Sequence, residues 1–311
     1  VSDTTGTDGV YELWLQQPSQ YTVAVVSDEF VTRQFEVELP DEALADTELP
    51  DAVSAEWKAP TSGGSTGRPK LIVAREPGRF DPDEAGMMLM RGDDVQLVPG
   101  PLYHNGPLLF SCRGLFTGHH LVVMERFDAE EALRLIERHR VGFVMMVPTM
   151  MQRIWRLPEG TRERYDVSSL HTVLHLAAPC PPWLKEAWIE WLGAETILEL
   201  YAGTEANGLT VIRGDEWLAH RGSVGRPVGC DIRILDPETH AELPAGEVGE
   251  VYMRSHRGSG ATYRYVGAEA TMVDGFDTIG DLGWLDEDGY LYLADRRTDL
   301  IISGGANIYP A

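Results

Sequence analysis

Thr61-Ser62-Gly63-Gly64-Ser65-Thr66-Gly67-Arg68-Pro69-Lys70 places three glycines, four hydroxyl side chains and a terminal lysine within ten residues. Glycines let successive backbone N–H groups turn into a concave nest, and hydroxyls with one cation complete a cradle for polyphosphate. The stretch is not a Walker loop. That motif needs Gly-Lys-Ser/Thr opening a helix, whereas here Pro69 precedes Lys70 and Leu71 follows it. Pro69 biases Arg68 away from helical geometry, so the loop is expected to lead into a strand at Leu71-Ile72-Val73-Ala74. A flexible Gly/Ser linker is the plain alternative, but linkers seldom end in Arg-Pro-Lys before a strand.

The 311 residues, 43% of them apolar, suffice for one large domain or two smaller ones with a substantial core. A net charge of −23 repels phosphate backbones and anionic bilayers, which disfavours nucleic-acid and lipid-surface roles. Only Lys58, Lys70 and Lys185 of the 26 basic residues are lysines, which makes Lys70 conspicuous. Cys112, Cys180 and Cys230 are scattered, odd in number and form no Cys-x-x-Cys pair, so neither a zinc site nor a disulfide framework is expected. The N-terminal residues lack a basic and apolar leader pattern, and no apolar run approaches membrane-spanning length. The expected location is cytoplasmic.

Outward from the loop the pattern is regular. Strands are expected at Val95–Val98, Leu121–Met124, Phe143–Val147, Val173–Leu176 and Ile197–Tyr201, with helices near Leu108–Phe116, around Met150 and at Trp183–Leu192. Asp128 and Glu131 fit an N-cap and its acidic N3 partner, opening an amphipathic helix to about His139. This alternation implies an α/β fold with a mainly parallel sheet over residues 61–217. Past Trp217 the strands at Ile232–Leu235, Val248–Arg254 and Tyr290–Ala294 are joined by Gly/Asp turns, which reads as a smaller β-rich subdomain over 218–295. Residues 1–60 are least legible, with one strand at Tyr21–Val26.

In parallel α/β sheets, ligands bind where loops leave the carboxyl ends of strands. Tyr201-Ala202-Gly203-Thr204-Glu205 supplies an aromatic face, a hydroxyl and a carboxylate there, able to stack a base, touch a phosphate and hold Mg²⁺. A strand-end tyrosine beside a solvated glutamate is the bland alternative. Asp281, after Thr278-Ile279-Gly280, reads as a carboxylate at a glycine turn, suited to two ribose hydroxyls or simply to the turn. Asp286-Glu287-Asp288-Gly289 is a hairpin turn, too short for a calcium loop.

Taken in order, these segments resemble the adenylate-forming superfamily of acyl-CoA synthetases, luciferases and peptide-synthetase adenylation domains. Thr61–Lys70 looks like its phosphate loop, Pro101-Leu102-Tyr103-His104-Asn105-Gly106 its acyl-pocket loop, and Tyr201–Glu205 its adenine and magnesium motif. The segments from Gly280 and from Asp295 resemble its ribose motif and inter-domain hinge, so residues 296–311 would begin a further domain. The resemblance covers about Trp57 to the end.

It implies ATP-dependent activation of a carboxylic acid to an acyl-adenylate, then thioester formation with CoA. Ser65, Thr66, Gly67 and Lys70 would hold the β- and γ-phosphates, Thr204 the α-phosphate, and Glu205 the Mg²⁺. Tyr201 would cover the adenine opposite Ala177-Ala178-Pro179, while Asp281 and Arg296 grip the ribose and Thr298 takes the hinge position. His104 would gate the acyl channel, although read alone it is a capping or surface histidine. Small residues at Ala177, Ala178, Ala202 and Gly203 imply a roomy pocket for a hydrophobic acid, with Met145, Met146, Met150 and Met151 either adapting to it or filling core.

Several positions depart from the family pattern. Gly63 replaces a hydroxyl, Ala202 a glycine, Asp295 a glycine, and Thr298 a charged hinge residue. These variants look most like bacterial long-chain, steroid or bile-acid CoA ligases. Family members also carry a longer N-terminal region and a C-terminal domain with a catalytic lysine, whereas no lysine follows Lys185. The expectation is therefore a truncated large-domain portion, weakly active alone and compatible with a homodimer. Transfer to a carrier protein or an amine, and a retired nucleotide- or acyl-binding module, are the alternatives. A small-molecule kinase is disfavoured by the missing Gly-Lys-Ser/Thr.

Overall fold

The computed structural model describes residues 53–61, 70–80, 87–92 and 94–294, together with the backbone of Asp295, Arg296 and short strands outside these ranges. In chain order the strands are β1 (Val10–Glu12), β2 (Tyr21–Ser27), β3 (Phe30–Val37), β4 (Leu71–Ala74), β5 (Val95–Val98), β6 (His120–Met124), β7 (Phe143–Met146), β8 (Thr172–Leu176) and β9 (Ile197–Ala202). They continue with β10 (Leu209–Arg213), β11 (Ser223–Pro227), β12 (Cys230–Leu235), β13 (Gly249–Ser255), β14 (Tyr263–Val266), β15 (Thr271–Val273), β16 (Phe276–Leu285), β17 (Leu291–Arg296), β18 (Ile301–Ser303) and β19 (Ala306–Ile308). The α-helices are α1 (Asn105–Phe116), α2 (Ala129–His139), α3 (Pro148–Trp155), α4 (Pro182–Leu192) and α5 (Gly214–Ala219).

Among the described residues thirteen strands form one sheet, in the order β1-β6-β5-β7-β8-β9-β10-β11-β17-β16-β13-β12 with β15 on β16. Strands β6, β5, β7, β8 and β9 are parallel. They read as mostly apolar runs because both faces are covered, with Gln96, His175 and Glu199 among the buried polar exceptions. Val144, Met146, Val173 and Ile197 face a core with Leu133, Ile136, Leu184, Trp188 and Trp217, from α2, α4 and α5. Phe143, Met145, Leu174 and Leu198 face the opposite way, against Phe110 of α1. The Met145, Met146 and Met151 side chains are buried, so these three fill core.

Local signals explain the helix boundaries. Asp128 accepts from the Glu130 and Glu131 backbone N–H groups, satisfying two orphan donors, while Arg140 closes the other end at φ 54°. Pro182 opens α4 at a position where its missing N–H costs nothing. The Glu131 side chain pairs with Arg134 in the same helix, so the expected cap is realised through Asp128.

Beyond β9 the pairing becomes antiparallel, and the same hydrogen-bonded path runs through β10 and β11 to β17 and β16. One expectation needs correction: Asp281 does not sit at a turn but inside the ten-residue strand β16. Leu282 pairs with Glu250 and Thr278 with Tyr252, so Ile279, Gly280 and Asp281 together oppose Val251 alone. Gly280 takes φ 87°, a conformation open to glycine, and the resulting bulge re-aims Asp281. The turn reading fits the next segment instead, where Asp286 accepts from the Asp288 and Tyr290 N–H groups.

Strand β4 lies outside the large sheet and pairs antiparallel with β14, placing Tyr265 opposite Ile72 and Val266 opposite Leu71. Segment 53–61 lies along β4, with Ala74 N–H bonded to the Lys58 carbonyl.

Candidate functional site

The loops after β8 and β9 leave the sheet side by side, because His175 pairs with Glu199 and Leu176 with Leu200. Ala177 turns the first loop with φ 72°, leaving Ala177, Ala178 and Pro179 exposed. The second loop closes through the Ala206 N–H to the Gly203 carbonyl, with Ala206 at φ 52°. Thr204 and Glu205 sit at the centre of that turn.

Two clusters converge on these loops. In the first, the Tyr201 hydroxyl donates to Asp281 Oδ2 at 2.7 Å. Across the β16–β17 ladder Asp281 lies directly opposite Arg296. Residues 80 positions apart in sequence are thereby joined. In the second, the Tyr265 hydroxyl donates to Glu205 Oε1 at 2.7 Å, and Lys70 Nζ lies 3.6 Å from the centre of the Tyr265 ring. Burial, reinforced by the bond to Glu205, pushes the Tyr265 hydroxyl above the ordinary range, so it remains a donor. Asp277 is raised by burial beside Asn207 and Tyr263.

Glu205 is 7% exposed. Its Oε2 lies toward Gly203, where an added Cβ would meet that oxygen at 2.9 Å. The absence of a side chain at 203 keeps that approach open. Among the described residues no group of three or more His, Cys, Asp or Glu side chains could cage a metal. One buried carboxylate with an oxygen turned to the loop suits Mg²⁺, which is commonly held by one or two carboxylates plus substrate phosphates.

His104 is exposed at the N-cap of α1, its ring tilted against Tyr103 with centroids 4.6 Å apart, and its side chain makes no capping bond. Next to it, Asn105 Oδ1 accepts from Lys58 Nζ at 2.6 Å. Burial lowers the Lys58 ammonium pKa, opposed by Glu76 and Glu205. Sequence reasoning noted Lys58 only for its rarity. It missed Tyr265 altogether, for which the signal was Tyr263-Arg264-Tyr265, a period-two aromatic pair. Ser65, Thr66, Gly67 and Thr298 lie outside the described residues, as does the rest of Ser62–Pro69.

Behind the two loops lies a third cluster that sequence reasoning did not anticipate. Lys185 of α4 is completely buried and donates to Glu199 Oε2 at 2.5 Å. Burial lowers its pKa, countered by Glu199. His175, also fully buried, stands 3.9 Å from Glu199 Oε1 with no hydrogen bond at either ring nitrogen. Burial pushes it down from 6.5 to about 4. The Cys180 thiol is pushed up to about 12 by burial, consistent with an unreactive side chain.

His175 stays neutral in the fold while its unfolded counterpart protonates near 6.5, so stability is complete above that pH. It falls as pH drops from 6.5 toward 4, by about 3 kcal/mol for this one proton, and this contribution then levels off. Urea unfolding across that window should show this loss, and His175→Leu should flatten it. Parallel profiles for the two proteins would refute this origin.

The sequence model described as AMP-binding enzyme matches residues 19–263. The chain belongs to the AMP-binding enzyme family. A 2-succinylbenzoate–CoA ligase of Bacillus pumilus (strain SAFR-032) is 34% identical over 257 residues, covering 80% of this chain and 51% of that relative. The amide bond synthetase McbA from Marinactinospora thermotolerans shares the fold with a TM-score of 0.67 at 29% identity, over 81% of this chain and 50% of McbA. The o-succinylbenzoate CoA synthetase (MenE) from Bacillus subtilis, in complex with the acyl-adenylate intermediate OSB-AMP, gives 0.66 and 27%, over 81% and 51%. This AMP-binding enzyme chain spans about half the length of the curated relatives it matches. Two of these proteins are named for succinylbenzoate and the third for amide bond synthesis, and the long-chain or steroid expectation draws no support from them. Among the described residues no helix is long and apolar enough to cross a membrane.

Proposed function

We propose that the protein activates a carboxylic acid with MgATP and passes the acyl group to CoA. The observation that carries this reading is the contact between Tyr201 and Asp281, with Arg296 across the ladder and Ala177–Pro179 alongside. An aromatic ring at the end of β9, a carboxylate at the bulge of β16 and an arginine position opposite it are what an adenosine needs: a stacking face and acceptors for its ribose hydroxyls.

In the first step the acid's carboxylate oxygen attacks the α-phosphorus, and the bond to pyrophosphate breaks. In the second, the CoA sulfur attacks the acyl carbon and the bond to AMP breaks. Neither step needs a protein nucleophile; both need charge neutralisation and alignment. Lys70, with Ser65, Thr66 and Gly67, holds the β- and γ-phosphates, and Thr204 the α-phosphate. Glu205 holds the Mg²⁺, which supplies neutralising charge on the phosphates when bound. Tyr201 with Ala177, Ala178 and Pro179 encloses the adenine, Asp281 and Arg296 the ribose, and His104 stands at the acid's entrance.

The acid is largely hydrophobic on this reading, in keeping with the exposed Leu102 and Tyr103 beside His104 and with the small residues at 177 and 178. A division of the chain near residue 217, with a hinge from 296, belongs to the same proposal.

The test supplies the full-length protein with MgATP, CoA and a panel of acids. AMP and an acyl-CoA should form in equal amounts and only with both co-substrates. ADP in place of AMP would overturn the reading. AMP release supported by an amine or a carrier-protein thiol but not by CoA would overturn its second half alone.

A further inference from the structure

Tyr265 is the one residue that touches both Glu205 and Lys70 among the contacts described, and nothing in the two-step chemistry assigns it a task. Its position follows from register. Strand β14 pairs with β4 so that Val266 lies opposite Leu71, the residue after Lys70. The ring is thereby brought under the Lys70 ammonium, 3.6 Å from its centre. The hydroxyl at the far end of the same ring reaches Glu205 Oε1 at 2.7 Å. Tyr263, two residues earlier, meets Tyr265 edge-on with centroids 4.9 Å apart and restrains the ring. Arg264, on the other face of β14, pairs with Glu56 through two hydrogen bonds of 2.9 and 3.0 Å and pins the strand to segment 53–61.

A glutamate carboxylate on a loop has rotational freedom that metal binding must remove. Here one oxygen is occupied by a phenol while the other lies toward Gly203. A cation over an aromatic face is likewise held by the ring quadrupole at a defined height.

We propose that Tyr265 is a positioning residue of the magnesium–nucleotide site: its hydroxyl orients Glu205, its ring seats Lys70, and it thereby fixes the spacing between the metal-binding carboxylate and the phosphate-binding cation. The inference rests on the roles given to Glu205 and Lys70 under the proposed function.

Tyr265→Phe deletes the hydroxyl and keeps the ring, whereas Tyr265→Leu removes both. The readout is calorimetric binding of AMP without metal, and of a non-hydrolysable ATP analogue over a Mg²⁺ series. In Tyr265→Phe, AMP affinity should stay within about twofold, while the Mg²⁺ concentration for half-maximal analogue binding rises about tenfold, the scale of one hydrogen bond to a charged group. In Tyr265→Leu the analogue should also weaken when Mg²⁺ is chelated, because Lys70 loses its seat. In a Glu205→Gln background, Tyr265→Phe should have no further effect on the Mg²⁺ series.

An unshifted Mg²⁺ midpoint in a folded Tyr265→Phe protein would overturn the proposal, as would a Tyr265→Phe effect that persists in Glu205→Gln. If the unaltered protein binds the analogue but AMP falls equally in Tyr265→Phe, the role is general packing and the proposal fails alone. If the unaltered protein binds neither nucleotide, the nucleotide-site reading fails and takes the proposal with it.

Discussion

Replacing Glu199 by leucine is expected to destabilise the fold by about 3–5 kcal/mol, the usual cost of removing one partner from a buried ion pair. Lys185 has no exposed surface, and its other described neighbour of note is the Trp217 ring at 4.9 Å. Without Glu199 the ammonium must stay buried unpaired or surrender its proton, and either is costly. The double variant Lys185→Met/Glu199→Leu should recover most of the loss, because an apolar pair of similar volume removes the desolvation penalty from both sides. Urea unfolding of the two variants checks this. A loss below about 1 kcal/mol in the single variant, or a double variant no better than the single, would contradict a desolvated pair. The location gives the pair more than local interest. Glu199 precedes Tyr201 by two residues, and Lys185 lies in the first turn of the helix that follows Ala177–Pro179, so the pair clamps together the bases of the loops after β8 and β9.

Asp281→Ala carries the second large effect, on binding rather than folding. A buried carboxylate that accepts two ribose hydroxyls is worth about 2–4 kcal/mol, so AMP affinity should fall roughly 30- to 1000-fold. Asp281 is 6% exposed, so its loss also leaves the Tyr201 hydroxyl without this acceptor. Tyr201→Phe separates the two contributions: it keeps the stacking face and should cost tenfold at most. Calorimetric titration with AMP reads both. A change of less than threefold in a folded Asp281→Ala protein would place the ribose elsewhere.

The sequence made the parallel half of the fold legible because its strands are buried on both faces and are mostly apolar, Phe143–Met146 without interruption. Asp128 likewise announced its helix through side-chain chemistry confined to four residues. Asp281 was found as a residue but misplaced as a turn, since Gly280 and Gly283 interrupt the alternation that marks a strand. The bulge that explains Gly280 depends on Val251, in a different strand. Tyr265 was invisible for a related reason: its meaning lies in a register with β4, some 190 residues earlier, which no local pattern records. Lys185 and Glu199 sit in the apolar company of α4 and β9. A charge at such positions is the one hint a sequence offers, and the partner emerges only when helix and strand pack.

The most direct test of the account is calorimetric titration of the protein with non-hydrolysable acyl-sulfamoyl-adenosines bearing short aliphatic, long aliphatic, aryl and steroidal acyl groups, alongside Asp281→Ala. The account predicts saturable one-to-one binding of at least one analogue, tighter than AMP and lost in Asp281→Ala. Failure of every analogue to bind a folded full-length protein, or binding indifferent to Asp281, would contradict an adenylate site between these loops.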